Sequence, residues 1–337
     1  MTPPTIELVR VAGTHREVGL QLGEAGREQI RRTVETSWDE LPSGRSKADQ
    51  EGAGVDPLEF FAVSMEEIWY EPYGPRTEGR CSDLVAGPSA TSDRHLLVAH
   101  NNDLRPEAEG DITALEISVP GDPVFFQLGG IPWLSVGWNA AGLSLTGNEL
   151  APNDERVGIS RSHQVLEMMR ASSLDEMVGM ALRTDRASSY NNVLTSFDGG
   201  VANVEGSATD AEVTGLDERA HLAHTNNYVC DRMLPYEGDT EYAPLSQVRY
   251  ERARELLAAQ PPVSLTMDRL RELLSDHQTR PQSLCKHPEF GTPTSKTVFW
   301  CVADVTDGRV RYGRGNPCDS VAQEYVFDPY AGREAAA

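Results

Sequence analysis

The spacing of hydrophobic positions changes period several times along this chain, and each change marks a predicted element. Apolar residues mark a short strand over residues 5–12, and they recur at helical spacing over 15–38 and 57–70, on either side of a polar loop. From residue 81 onward the apolar runs are short and are broken by Gly and Pro, which predicts closely spaced antiparallel strands. These strands are predicted over 81–87, 95–102, 112–119, 123–129, 134–138 and 142–147.

The second half of the chain repeats this alternation of helical and extended segments. Helices are predicted over 160–184, divided near residues 171–173, and over 243–276, divided at Pro261-Pro262. Further strands are predicted over 191–197, 200–206, 210–215, 219–224, 296–304, 308–314 and 323–327. This order predicts an α+β protein in which two antiparallel sheets are sandwiched between helix layers.

Composition leaves the predicted fold unchanged, but charge restricts the partners. The chain has 337 residues, 39% of them hydrophobic, which is ample for a core. Its net charge of −22 makes nucleic acid and anionic membrane surfaces poor partners. The sequence shows neither a signal peptide nor an apolar run of the ~20 residues that a membrane helix needs. We therefore expect a cytoplasmic protein whose five cysteines are reduced thiols.

One stretch contains a candidate nucleophile. Cys81 opens a predicted strand, Asp103 follows the next one, and the residues between these strands are rich in turn formers. An antiparallel pair would bring Asp103 back beside Cys81. A thiol next to a carboxylate suggests chemistry, although a free cysteine is more often a small buried hydrophobe. The linker 76–80 just before Cys81 is a place where the chain could be cut without harm to the core.

A metal site is the first alternative for this chemistry. His221 and His224 lie near Cys230, but a separation of three places the two histidines on opposite faces of a strand. The segment Cys285-Lys286-His287 has no matching second pair. We therefore predict no metal site. The sequence also lacks the zincin, phosphate-loop and Gly-x-Ser-x-Gly motifs.

Asparagine and aromatic residues supply further candidates. Asn148 and Asn226 end predicted strands, where their amides can donate to an oxyanion. Asparagines at strand ends are also ordinary turn formers. Trp138 and its aromatic neighbours suit an apolar acyl pocket or the core equally well.

Several segments form a pattern through their order and spacing. They are Val9–Thr14, Cys81-Ser82-Asp83, Asn101-Asn102-Asp103, Gly137–Leu143 leading to Asn148, His224-Thr225-Asn226, Ser295–Phe299 and Gly315-Asn316-Pro317-Cys318. With this pattern the chain resembles the penicillin (isopenicillin N) acyltransferase-like family of N-terminal-nucleophile cysteine hydrolases. The resemblance implies a four-layer αββα sandwich, the N-terminal-nucleophile hydrolase fold, as a single domain over residues 1–337.

The resemblance also implies that the chain cuts itself at the Arg80–Cys81 bond. The products would be a small chain of residues 1–80 and a large chain of residues 81–337 that remain associated. Cys81 is then the nucleophile, with its own α-amine as the base and Asp103 as its carboxylate partner.

Further site residues follow from the same resemblance. Asn226 would be the oxyanion donor and Asn148 a second active-site amide. The expected lining residues are His100, Asn101, Ser295 and Trp138. Neither a metal nor an organic cofactor is implied.

Two departures from the family pattern concern processing and substrate. The family's Gly-Cys junction is Arg80-Cys81 here, and His100 stands where choloylglycine hydrolases carry an arginine, which disfavours bile-salt-like substrates. The implied function is a self-processing cysteine amidohydrolase or acyltransferase acting on a small N-acylated compound. The alternatives are a coenzyme A-dependent N-acyltransferase and a non-catalytic binding protein on the same scaffold.

Overall fold

The computed structural model describes residues 4–38, 80–131, 133–290 and 295–327. The predicted polar loop over 39–56 and the predicted helix over 57–70 lie outside these residues. None of the helices within the described ranges is both long enough and apolar enough to cross a membrane.

The described residues contain fourteen strands in two sheets. In chain order they are β1 (Glu7–Ala12), β2 (Arg80–Ala86), β3 (Leu97–Leu104), β4 (Thr113–Ser118), β5 (Phe125–Gly130), β6 (Trp133–Asn139), β7 (Leu143–Asn148), β8 (Asn191–Ser196), β9 (Val201–Gly206), β10 (Ala211–Thr214), β11 (His221–His224), β12 (Lys296–Asp304), β13 (Arg309–Arg314) and β14 (Gln323–Val326). The eight-stranded sheet has the order β1-β4-β5-β6-β7-β8-β9-β10, and the six-stranded sheet has the order β11-β2-β3-β12-β13-β14. Neighbouring strands are antiparallel apart from the parallel pair β1 and β4.

Helices cover the outer face of each sheet. They are α1 (His15–Ala25), α2 (Arg27–Trp38), α3 (Arg161–Met168), α4 (Leu174–Ala181), α5 (Ala243–Ala258) and α6 (Met267–Leu274). Val18 of α1 and Met168 of α3 pack on the eight-stranded sheet, whereas Leu257 of α5 and Leu270 of α6 pack on the six-stranded sheet. A third apolar cluster lies between the sheets. The αββα sandwich predicted from the sequence is therefore confirmed.

The predicted helix over 15–38 is divided into α1 and α2. Gly26 caps α1, and its backbone approaches Ile131 so closely that an added Cβ would lie 2.6 Å from Ile131 Cγ2. Glycine is the residue that permits this approach. The hydrophobic period does not show the break, because apolar positions continue on both sides of it.

The hairpin predicted around Cys81 is present. β2 and β3 are antiparallel, with Cys81 opposite Asn102 and Arg80 opposite Asp103. The prediction ended the second strand at 102, but β3 continues to Leu104, so Asp103 lies inside the sheet. Its neighbour on the far side is β12, in which Thr297 pairs with Asp103.

Truncation of Phe126 should destabilise the sandwich strongly. Phe126 on β5 is completely buried and stacks on Tyr325 of β14 across the two sheets, with ring centroids 4.0 Å apart. Phe126→Ala should therefore lower the free energy of unfolding by about 3–5 kcal/mol. The measurement is urea denaturation in a Cys81→Ala background, which lacks the candidate nucleophile. Val157→Ala is the control, since Val157 is 98% exposed. Equal effects of the two substitutions would contradict the described core.

Candidate active site

The thiol of Cys81 lies between the two sheets, near the start of β2. Cys81 is 7% exposed. Asn102, its partner on β3, places Nδ2 3.4 Å from the sulfur and donates to Ser135 Oγ on β6 at 2.7 Å. The sulfur therefore contacts an amide of its own sheet, and that amide is hydrogen-bonded to the opposite sheet.

The backbone of Cys81 is held on both sides by side chains. Its N–H donates to Asn226 Oδ1 at 2.7 Å, and its carbonyl oxygen accepts from Arg249 Nη1 at 2.8 Å. Arg249 on α5 also donates through Nη2 to Asn226 Oδ1 at 2.8 Å and to Tyr242 Oη at 2.9 Å. A buried guanidinium is stable only with such partners. These contacts connect the helix layer to the start of β2.

Asp103 is buried beside two cations. Thr297 Oγ1 donates to its Oδ1 at 2.7 Å, and Arg249 Nη1 lies 3.9 Å from its Oδ2. Burial raises the pKa of the Asp103 carboxyl, while the charges of Lys286 and Arg249 act in the opposite direction. Asp103 stands opposite Arg80, so this group lies at the bond that the sequence predicts to be cut.

The environment keeps the Cys81 thiol protonated. Burial raises its pKa well above the ordinary range, and the carboxylates of Asp103, Asp83 and Glu149 raise it further, whereas Arg249 opposes them. A thiolate is therefore not formed in advance at neutral pH. Nucleophilic attack by this sulfur needs a base in the site.

The two candidate amides are oriented differently. Asn226 Oδ1 accepts from the Cys81 N–H and from Arg249, while its Nδ2 donates to Glu149 O at 3.0 Å. The oxygen of Asn226 thus faces Cys81, and its role as oxyanion donor stays a prediction. Asn148 Oδ1 accepts from His224 at 2.9 Å. The Nδ2 of Asn148 is buried and makes no hydrogen bond to the described residues, so of the two amides Asn148 is the one whose donor is still available.

A carboxylate and an imidazole orient Asn148. Glu205 Oε1 on β9 lies 2.7 Å from His224 Nε2 on β11, and His224 Nδ1 contacts Asn148. Burial alone would raise the pKa of Glu205, but hydrogen bonds from His224 and from the backbone N–H groups of Cys230 and Val229 lower it. His224, which the sequence analysis weighed as a metal ligand, therefore holds the side chain of Asn148 in place through a hydrogen bond.

The four predicted lining residues differ in their surroundings. His100 faces the site, with Nδ1 2.9 Å from Asp83 Oδ1 and Nε2 3.5 Å from Asn102 Nδ2. Ser295 is buried two residues before Thr297.

The other two predicted lining residues have partners outside the Cys81 group. Asn101 donates instead to the carbonyl oxygens of Leu274 and Leu284 on the helix side of the sheet. Trp138 packs against Phe126 between the sheets, at a ring-centroid distance of 5.9 Å.

Sequence reasoning missed Arg249. It is one of several arginines in a predicted helix, and nothing in its local pattern distinguishes it from the exposed ones. Only the packing of α5 on the sheet buries it, so a sequence pattern alone gives no signal.

The fold and site define a class: an αββα protein in which side chains bind the backbone of a cysteine near the start of a strand. Residues 89–319, more than half of the chain, match the model of the family described as acyl-coenzyme A:6-aminopenicillanic acid acyl-transferase. The chain belongs to this family, and the resemblance predicted from the sequence is confirmed.

Solved structures show weaker similarity. A mutant of conjugated bile acid hydrolase from Clostridium perfringens has 12% identity and a TM-score of 0.45, covering 74% of this chain and 97% of that chain. Penicillin V acylase from Agrobacterium tumefaciens has 11% identity and a TM-score of 0.47, covering 74% and 88%. These values are too low to assign a shared function. No curated protein sequence matches the chain.

Replacement of Glu205 should give a pH-dependent loss of stability. Its pKa is lowered in the folded protein from an ordinary value of 4.5, so its contribution is fully present above pH 4.5. The contribution falls as the pH drops through the folded pKa. Glu205→Gln should therefore cost about 1–3 kcal/mol at pH 7 and less at pH 4. The measurement is urea denaturation at both pH values in the Cys81→Ala background.

The matched control for Glu205 is the exposed Glu218. Glu218→Gln should change the free energy of unfolding little at either pH. A loss in Glu205→Gln that is the same at pH 4 and pH 7 would refute the ionised pairing with His224.

Proposed function

We propose that this protein is a self-processing cysteine enzyme that moves the acyl group of a small N-acylated compound through a thioester on Cys81. One observation carries the proposal: a site side chain, Asn226 Oδ1, binds the backbone nitrogen of Cys81 at 2.7 Å. The pairing of β11 with β2 begins only at Asp83, so the ladder itself gives this nitrogen no partner from β11. A buried backbone N–H needs an acceptor in any protein, but here the acceptor is a side-chain oxygen that could also hold the α-amine formed by cleavage.

Self-cleavage uses the same sulfur. The Cys81 thiol loses its proton and attacks the carbonyl carbon of Arg80. The bond from that carbon to the Cys81 nitrogen breaks, and the nitrogen takes up a proton. The resulting thioester is hydrolysed by water, which leaves a carboxylate on Arg80 and a free thiol and α-amine on Cys81.

The small chain should stay bound to the large chain after cleavage. β1 pairs with β4 along its whole length, and Ile6, Val11 and Val18 are buried in the clusters of the large chain. Residues 1–80 and 81–337 would therefore remain one domain without a covalent link.

In the cut form, the new amine is the base for acyl transfer. A free α-amine has a pKa of ~7.7–8.0, so part of it is neutral at pH 7 and can accept the Cys81 proton. Asn226 Oδ1 orients this amine by accepting its hydrogen bond. The positive charge of Arg249 opposes the groups that raise the pKa of Cys81.

The thiolate then attacks the acyl carbon of the substrate. Asn148 Nδ2 can donate to the oxyanion of the tetrahedral intermediate, and one such donor is worth about 10²–10³ in turnover. The leaving amine or thiol takes a proton from the α-ammonium group, and an acyl-enzyme remains on Cys81. Water or a second amine resolves it.

The family description favours transfer over simple hydrolysis. It names a coenzyme A thioester as acyl donor and an amine as acceptor. This description supports the second candidate function, a coenzyme A-dependent N-acyltransferase. It shares every step up to the acyl-enzyme.

Cys81→Ala should leave one intact chain and no acyl-transfer activity. Wild-type protein should give two masses by intact-mass measurement, with the larger chain beginning at Cys81. Cys230→Ala is the matched control and should be cut like wild type, because alanine keeps the backbone N–H that Cys230 donates to Glu205 Oε2 at 3.0 Å. Cleavage that persists in Cys81→Ala would exclude this mechanism. An uncut wild-type chain whose Cys81 resists alkylation would instead favour a binding protein.

An acceptor amine should divert the product. We expect 6-aminopenicillanic acid, added with acyl-coenzyme A thioesters or N-acyl amides, to compete with water for the acyl-enzyme, so that amide replaces free acid as the product in a saturable way. Product analysis by chromatography and mass spectrometry would measure the ratio. Cys81→Ala corrects for uncatalysed aminolysis. Free acid as the product at every amine concentration would show a hydrolase and eliminate the transferase.

A further inference from the structure

Four metal-ligating side chains meet at one point outside the proposed active site. They are His277, three residues after α6, Cys285, His287 and Cys318, four residues after β13. Their ligand atoms all lie within 4.8 Å of one another. The sequence showed only Cys285-Lys286-His287. The fold adds one residue from upstream and one from downstream.

Four of the six distances among these atoms match those of a tetrahedral zinc site, and the other two, from His277 to the sulfurs, are at most 4.8 Å. Zn–S bonds of ~2.3 Å and Zn–N bonds of ~2.05 Å at tetrahedral angles predict edges of about 3.8 Å for S···S, 3.6 Å for S···N and 3.3 Å for N···N. The observed Cys285 Sγ–Cys318 Sγ distance is 3.7 Å, and each sulfur lies 3.4 Å from His287 Nε2. His277 Nε2 lies 3.2 Å from His287 Nε2.

The surroundings of the cluster resemble the outer shell of a metal site. His287 Nδ1 lies 3.2 Å from the carboxylate of Glu289, which leaves Nε2 as the ligand atom. Asn316 Nδ2 donates to Cys285 Sγ at 3.2 Å, as is favourable for a thiolate. Phe290 packs against both imidazole rings and fixes their orientation.

A disulfide does not account for this arrangement. It would require the two sulfurs to be about 2.05 Å apart, and both cysteines are free. It would also leave unexplained why two imidazole nitrogens point at the same place as the sulfurs.

We propose that His277, Cys285, His287 and Cys318 bind one Zn²⁺ ion in a closed structural site. Two thiolates and two imidazoles are a ligand set that selects zinc. Four protein ligands leave no open position for water or substrate. The ion would therefore stabilise the chain rather than take part in acyl transfer.

The site is linked to the buried carboxylate of Asp103 through Lys286. Lys286 lies between two of the ligands, and its N–H donates to Thr297 Oγ1 at 3.0 Å. Thr297 Oγ1 in turn donates to Asp103 Oδ1 at 2.7 Å. A metal ion bound to Cys285 and His287 would therefore also fix Lys286, and through Thr297 it would support Asp103.

Metal analysis tests the proposal without reference to activity. Full-length protein expressed in zinc-supplemented medium should contain about one zinc per chain, measured by inductively coupled plasma mass spectrometry. Cys318→Ser and His277→Ala should each reduce this content at least fivefold. The matched controls Cys230→Ser and His15→Gln change the same residue types outside the cluster and should keep it. Cys81→Ala should also keep it, which separates this test from that of the proposed function.

A second measurement uses the wild-type protein, so its outcome does not depend on whether the variants fold. Cobalt added to unmodified protein after chelation should give the visible bands of a tetrahedral thiolate site, and zinc should displace them. Wild-type protein with no more zinc than Cys318→Ser would overturn the proposal. So would a Cys285–Cys318 disulfide in peptide mapping under non-reducing conditions.

Discussion

The buried guanidinium of Arg249 is the interaction on which the site depends. Removing such a charge from water costs several kcal/mol unless hydrogen bonds compensate for it. Here the compensation comes from the Cys81 carbonyl, Ser82 Oγ and Asn226 Oδ1, together with the Tyr242 hydroxyl. These groups belong to β2, to the turn after β11 and to the region of α5. The site therefore forms only when this helix packs on the six-stranded sheet.

The local part of this site could be predicted from the sequence. Short apolar runs and turn formers indicate the hairpin of β2 and β3, and pairing follows from chain order, so Asp103 returns close to Cys81. The sandwich also follows from the alternation of helical and extended segments. Both predictions depend on periodicity, which is a property of neighbouring residues.

The rest depends on packing between layers, which periodicity does not encode. Glu205 belongs to the eight-stranded sheet and His224 to the six-stranded sheet, so their contact exists only because the two sheets face each other. The cysteines Cys285 and Cys318 are separated by 33 positions and meet through the folding of β12 and β13 between them. The resemblance predicts Asn226 as a site residue, but the direction of its amide depends on Arg249 and Glu149.

The same guanidinium also bears on the proposed base. In the uncut chain, the nitrogen of Cys81 is a neutral amide that shares Asn226 Oδ1 with Arg249. If cleavage converts it into an amine, protonation would place a second positive charge beside Arg249. A nearby like charge disfavours the protonated form and lowers the pKa of the amine. Asp103 acts in the opposite direction, so the balance between these two buried groups sets how much neutral amine is available. The net charge of −22 has little part in this balance, because solvent screens distant surface charges, whereas the buried guanidinium of Arg249 shares the acceptor Asn226 Oδ1 with the Cys81 nitrogen.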